Sequence, residues 1–210
     1  IRRRREADGW DSAGESESSR IDTEITPDHA RTVISRNRSP DVPFDQSINP
    51  YRGCEHGCIY CFARPTHAWL GFSPGLDFES RLTYKPDAAA QLRKELAKPG
   101  YVCRPIALGT NTDPYQPAER AHRVTRAILE VLADCHHPVS IVTKSGLVTR
   151  DLDLLAPMAA RGLATVHVSL TTLDPALKRS LEPRAASPNR RLETLSALAG
   201  AGIPCGTLIA

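Results

Sequence analysis

Three thiols stand close together in the segment Asn49-Pro50-Tyr51-Arg52-Gly53-Cys54-Glu55-His56-Gly57-Cys58-Ile59-Tyr60-Cys61-Phe62, spaced C-x3-C-x2-C. Thiolates this near in sequence can wrap one face of an iron-sulfur cubane, and Gly53 and Gly57 let the backbone turn tightly around it. A ferredoxin-type cluster takes four protein cysteines, and the loop offers no fourth. An iron without a protein ligand is an open coordination site, which is what separates catalytic from structural metal centres. A structural zinc is the competing reading. It would need His56 or a distant cysteine as fourth ligand, and His56 lies between Cys54 and Cys58, where reaching the same metal is awkward.

The other thiols, Cys103, Cys135 and Cys205, stand singly beside apolar residues and read as packing residues. Six cysteines without an extracellular signature point to metal chemistry in a reducing compartment rather than to disulfides. No apolar run approaches the roughly 18 residues of a membrane span. Ile1 and the arginines at 2–5 are followed by Glu6, Asp8 and Gly9 instead of an apolar signal core. A cytoplasmic protein without a membrane partner is expected. The chain opens on Ile rather than Met and closes on Gly206-Thr207-Leu208-Ile209-Ala210, which reads as a fragment ending in an unfinished strand.

The elements that must position the thiols follow from patterning. Residues 1–40, with eight Arg against eight Asp plus Glu and little periodic apolar content, predict a mobile charged tail. Residues 41–210 form the expected core domain. Short β-branched runs at 106–108, 139–143, 165–170 and 206–209 predict parallel strands buried on both faces. Pro117 opens a helix carrying Val124, Ile128, Val131 and Leu132 inward. Thr149 is placed to cap the next, which Pro157 bends, and Ser187-Pro188 starts a third. Strand starts about 26 to 41 residues apart fit βαβ units. Periodicity alone leaves an open doubly wound sheet and a β/α barrel equally placed; both build the site from loops after the strands' C-terminal ends.

With an aromatic, Tyr60, just before the last cysteine, the C-x3-C-x2-C loop resembles the signature of the radical S-adenosylmethionine superfamily. Ser47 to Cys58 and Thr112-Asp113-Pro114-Tyr115-Gln116-Pro117 are similar to its spore photoproduct lyase subgroup, also described as DNA repair photolyase-like. The resemblance implies a partial (β/α)6 TIM-like barrel, truncated after about its fifth strand. It implies a 4Fe-4S cluster on Cys54, Cys58 and Cys61, with S-adenosyl-L-methionine on the open iron. Cleavage of that cofactor would yield a 5'-deoxyadenosyl radical for hydrogen abstraction. Tyr60 would lie against the adenine. Thr112, with Asp113 beside it, would meet the amino group, Lys144 the carboxylate, and Ser169 would bond the cofactor from the next strand. Each also has a plain structural reading: Thr112 and Asp113 as helix caps, Lys144 as a solvated cation, Ser169 as a backbone partner. Glu119 is a weaker candidate, since an acid is favoured in a helix's first turn without any ligand.

The lyase relies on a cysteine shortly before this Thr-Asp pair, and Leu108-Gly109-Thr110-Asn111 holds no thiol. The resemblance therefore carries the cofactor machinery rather than that repair reaction, and no catalytic residue is assigned. Seven aromatics between Tyr51 and Tyr84 form either an apolar collar around the cluster or ordinary packing. Lys178, Arg179, Arg184, Arg190 and Arg191 form either a phosphate-binding surface or helix-end charges paired in part with Glu182. The expected substrate is DNA or RNA, with a protein or metabolite as the alternative, and a non-catalytic iron-sulfur or zinc module as a third reading. An electron donor such as flavodoxin or ferredoxin is the expected partner.

Overall fold

The structure is a computed structural model describing residues 21–209. In chain order the described elements are β1 (Glu24–Pro27), β2 (Ser35–Arg36), β3 (Gln46–Ile48), β4 (Tyr51–Arg52), α1 (Asp77–Ser80), β5 (Arg81–Tyr84), α2 (Ala88–Leu96) and β6 (Ile106–Leu108). There follow α3 (Glu119–His122), α4 (Val124–Asp134), β7 (Val139–Thr143), α5 (Leu152–Ala159), β8 (Ala164–Ser169), α6 (Pro175–Leu181), α7 (Pro188–Gly200) and β9 (Cys205–Leu208). Six strands form one open sheet in the order β2-β3-β6-β7-β8-β9, parallel throughout except for β2 at the edge. Four of its five parallel strands, β6 to β9, fall on the β-branched runs that the β/α reading expects.

Ile48, Ile106, Leu108, Ile141, Val166 and Val168 are fully buried against Leu92 of α2, Ile128, Leu129 and Leu132 of α4, Leu155 of α5 and Leu198 of α7. Each such side chain contributes on the order of 1.5–3 kcal/mol through apolar burial. Burial on both faces holds for β3 and β6. In β7 and β8 the residues alternate: Val139, Ile141 and Thr143 are buried, while Ser140 and Val142 are half-buried. The helical layer closes one face of these strands, and the other is only partly covered.

The tail expectation is corrected over its described part. β1 pairs in parallel with β5, Glu24 opposite Arg81 through Pro27 opposite Tyr84, and β2 pairs antiparallel with β3. Val33 and Ile34 are buried in the core, and the Val33 N–H donates to Glu95 Oε1 at 2.6 Å. The partners lie 50 residues or more away in the chain for β1, so local periodicity carries no trace of the pairing. The arginine run at 2–5 and the serines at 12–19 lie outside the described residues.

Two helix boundaries also differ from expectation. The helix after Pro117 breaks at Arg123, which takes a left-handed φ of 51°. The Glu119 carboxylate then accepts from the N–H groups of Thr125 at 2.9 Å and Arg126 at 3.2 Å, satisfying donors that the first turn of α4 would otherwise leave unpaired. Thr149 is not a cap. It donates to the Gly146 carbonyl at 2.9 Å within a 3-10 turn over Gly146–Asp151, which Ser145 caps by accepting from the Leu147 N–H. Ser187 does cap α7, accepting from the Arg190 N–H at 3.3 Å, with Pro188 in the first turn. Among the described residues no helix is long and apolar enough to cross a membrane.

A second, three-stranded sheet, β1-β5-β4, stands beside the cysteine loop. β4 leads directly into it, and the Cys54 N–H donates to the Phe78 carbonyl of α1 at 2.8 Å. The loop is thus braced by local structure on one side and by the large sheet's strand ends on the other.

Candidate active site

The cysteine loop is held mainly through its backbone, which leaves its thiols uncommitted. Gln116, fully buried after β6, accepts from the Glu55 N–H at 3.0 Å and donates to the Gly53 carbonyl at 3.1 Å. The Arg64 guanidinium donates to the Cys58 carbonyl at 2.9 and 3.1 Å. From the end of α6 the Leu181 carbonyl accepts from the Ile59 N–H at 3.0 Å, and from the segment after it the Arg184 N–H donates to the His56 carbonyl at 3.2 Å. Arg184 also donates from its side chain to the Glu55 carbonyl at 2.6 Å and pairs with Glu79. Gly57 has a left-handed φ of 68°, and a Cβ there would come within 2.0 Å of the Arg184 guanidinium. The left-handed turn is what requires glycine there, and any side chain would also displace the guanidinium.

Cys54, Cys58 and Cys61 are free thiols, the first two buried. Burial pushes the Cys58 thiol up to about 12, with Glu182 adding to the rise, and pushes Cys54 well up, with Asp113 and Cys58 adding. Ionising such neighbours together is costly unless a positive centre compensates them. Among the described residues no three His, Cys, Asp or Glu side chains converge on one point fit for a single ion. A cubane, by contrast, requires thiolates that reach three separate irons. The donor set, three thiols from one loop, fits such a group. His56, the zinc reading's local ligand, is buried with Nδ1 3.4 Å from Asp113 Oδ2, and burial pushes its pKa down.

The strand-end candidates fall around this loop. Thr112 is buried and donates to the Tyr51 carbonyl at 2.9 Å. Asp113 accepts from the Tyr115 N–H at 2.8 Å, the Thr143 hydroxyl at 2.7 Å and the Lys144 N–H at 2.7 Å. Its carboxylate therefore ties the loop after β6 to the end of β7. The Lys144 ammonium donates to Ser169 Oγ at 2.7 Å, lies 3.2 Å from Glu182 Oε1 and stands 5.7 Å from the centre of the Tyr60 ring. Burial works against its charge, but Glu182, then Tyr60 and Cys58, outweigh burial and raise its pKa. Tyr60 is 43% exposed and its hydroxyl bonds Thr171 and Glu182. Lys144, Ser169 and Tyr60 thus form one cluster; Thr112 and Asp113 adjoin the thiol loop from the neighbouring strand.

Glu182 is the residue that sequence reasoning missed as part of this site. Its carboxylate receives Tyr60, Thr171, Lys144 and Arg191. The only trace in the sequence was its position among basic residues. Those residues prove largely internal. Arg191 is 1% exposed and also donates to the Ser169 carbonyl at 2.9 Å; Lys178 is buried; Arg184 clasps the cysteine loop; Arg190 pairs with Glu193. Only Arg179 of the five is exposed. Glu119 is likewise internal, accepting from Tyr51, Arg150 and the start of α4. Of the aromatics, Phe78 packs with Cys54 and Ala63, whereas Phe62 and Trp69 are largely exposed.

Residues 48–210 match the family model described as the Radical SAM superfamily. An uncharacterized protein of Mycobacterium tuberculosis is 44% identical over 169 residues, which cover 80% of this chain and 50% of that protein. One of Methanocaldococcus jannaschii is 29% identical over 180 residues, covering 86% and 64%. The chain spans about half the length of the first of these relatives. Among solved structures, spore photoproduct lyase complexed with dinucleoside spore photoproduct superposes with a TM-score of 0.65 at 19% identity, covering 89% of this chain and 51% of that one. Streptococcus suis SuiB bound to S-adenosylmethionine gives 0.54 at 21% identity, covering 77% and 32%. At these identities the likeness concerns the fold.

Proposed function

The chain belongs to the Radical SAM superfamily, and on that premise we propose that Cys54, Cys58 and Cys61 hold a 4Fe-4S cluster beside an S-adenosyl-L-methionine site lined by Tyr60, Thr112, Lys144 and Ser169. The observation that carries the reading is a loop of three free thiols whose Tyr60 stands 5.7 Å from the ammonium of a partly buried lysine paired with Glu182. When bound, the cluster and cofactor supply a 5'-deoxyadenosyl radical for hydrogen abstraction, chemistry that the protein directs rather than performs. An electron donor of the flavodoxin or ferredoxin class serves the cluster.

The chain's own residues bind, orient and shield. Lys144 presents an ammonium to the cofactor's carboxylate, with Ser169 fixing its direction. The Tyr60 ring, half-exposed at the mouth, offers a face for the adenine. Asp113 acts by holding Thr143 and the Lys144 backbone in place, because its oxygens are already engaged. Phe78 and Ala63 pack around the first thiol and limit water there. The substrate class proposed first is nucleic acid, supported by the fold likeness to a lyase complexed with a dinucleoside. The internal pairing of Arg184 and Arg191 directs that contact to surfaces other than those two arginines.

The test is anaerobic reconstitution with iron counting, electron paramagnetic resonance with and without S-adenosyl-L-methionine, and assay of 5'-deoxyadenosine. About four irons per chain, a spectrum altered by the cofactor, and loss of both in Cys58→Ala are expected. A tetrahedral zinc, or a cluster indifferent to the cofactor, would falsify the reading.

A further inference from the structure

Glu182 is fully buried, and its carboxylate meets Lys144 and Tyr60 of the cofactor half together with Thr171 and Arg191. Oε1 faces the Lys144 ammonium at 3.2 Å and accepts from the hydroxyls of Thr171, at 2.7 Å, and Tyr60. Oε2 takes the Arg191 guanidinium, which is itself pinned by the carbonyls of Ala186 at 3.0 Å and Ser169 at 2.9 Å. Three hydrogen-bond donors and the Lys144 ammonium already occupy the carboxylate, so it acts through these neighbours. It cannot drift from them, because Arg191 is fixed to two backbone carbonyls.

We infer that Glu182 is the positioning residue of the cofactor site, holding Lys144 charged and the Tyr60 hydroxyl in place so that both are formed before S-adenosyl-L-methionine arrives. The inference rests on the reading that Lys144 meets the cofactor's carboxylate. Lys144 is largely buried, and a buried ammonium loses its charge unless an anion stands beside it. Glu182 is that anion in the protein alone. An incoming carboxylate then adds to a lysine already paired and aimed, with little reorganisation at the moment of binding. The same carboxylate also prevents Tyr60, the half-exposed member, from swinging freely at the mouth. Its effect should fall on capture of the cofactor and not on later steps.

The experiment compares wild type, Glu182→Gln and Glu182→Asp in the reconstituted protein. Affinity for S-adenosyl-L-methionine is read from the change it causes in the cluster's paramagnetic resonance, and turnover from 5'-deoxyadenosine. Glu182→Gln should weaken binding by about tenfold to a hundredfold, the range for losing a charge-assisted bond. Iron content and the cofactor-free spectrum should be retained, and KM should change far more than kcat. The order of the variants separates charge from shape: positioning through charge requires Glu182→Asp to bind more tightly than Glu182→Gln, whereas simple packing requires the reverse and overturns the inference. If Glu182→Gln fails to load iron, Thr171→Val, which removes one donor without leaving a charge unpaired, should raise KM about threefold with kcat kept; an unchanged KM overturns the inference. A wild type that loads iron but ignores the cofactor removes the underlying reading as well, which distinguishes the two failures.

Discussion

Glu119 and Glu182 are two fully buried glutamates with nearly the same partners and opposite surroundings. Each receives a tyrosine hydroxyl and an arginine: Tyr51 and Arg150 for Glu119, Tyr60 and Arg191 for Glu182. The remaining donors to Glu119 are backbone N–H groups at the start of α4, and Tyr51 is itself fully buried. The remaining donors to Glu182 are Lys144 and Thr171, and Tyr60 reaches solvent. A buried carboxylate network is therefore no guide to function by its composition. What separates a strut from a site is whether its partners end in main chain or in side chains facing an opening.

The comparison can be broken most forcefully at Glu119. Glu119→Ala should destabilise the fold by about 3 kcal/mol or more, since it uncaps α4 and leaves the Tyr51 hydroxyl and part of Arg150 unmatched in the interior. The urea midpoint should fall while the protein that remains folded keeps its cofactor affinity; loss of affinity at full folding would erase the distinction between the two glutamates.

Acid offers a second, smaller probe. Burial raises the Glu182 carboxyl, but the Arg191 guanidinium and the bonds from Tyr60 and Thr171 prevail and hold it at about 2, below its ordinary 4.5. A depressed carboxyl contributes stability that is complete above its unfolded value and disappears as pH falls through the folded one. With allowance for solvent screening, a contribution on the order of 2 kcal/mol should be lost between roughly pH 4.5 and 2. Denaturation of wild type and Glu182→Gln over that window should give curves that converge toward its acid end, and parallel curves would count against the pairing.

The smallest effect is expected where an ion pair is partly exposed. Arg190 pairs with Glu193 near the surface, so Arg190→Ala should change stability by no more than about 0.5 kcal/mol. If the basic cluster has no role as a phosphate surface, the salt slope of oligonucleotide binding should also stay unchanged. A slope shallower by about one unit would restore that surface to consideration.

The thiol loop and the parallel strands were legible because their signals are local: three cysteines in one turn, β-branched runs, Ser187 before Pro188. β1 was not, because its partner β5 is distant in the chain, and neither was the burial of Val33, whose N–H partner Glu95 comes from α2. The break at Arg123 was hidden for a related reason. The apolar stripe begins only at Val124, after the break, nothing in Glu119–His122 marks a stop, and only the folded position of Glu119 reveals a cap. Glu182 was read as one acid among bases because its four partners, at 60, 144, 171 and 191, meet only after four segments have packed together.

The segment Leu181 to Arg184 touches both halves of the site. Leu181 and Arg184 grip Ile59 and His56 through main-chain bonds, while Glu182 between them grips Lys144 and Tyr60. Two peptide units can span at most about 7 Å. Thiol loop and lysine are consequently set apart by a covalent ruler, and lengthening it by one residue would shift one half against the other without touching a single ligand.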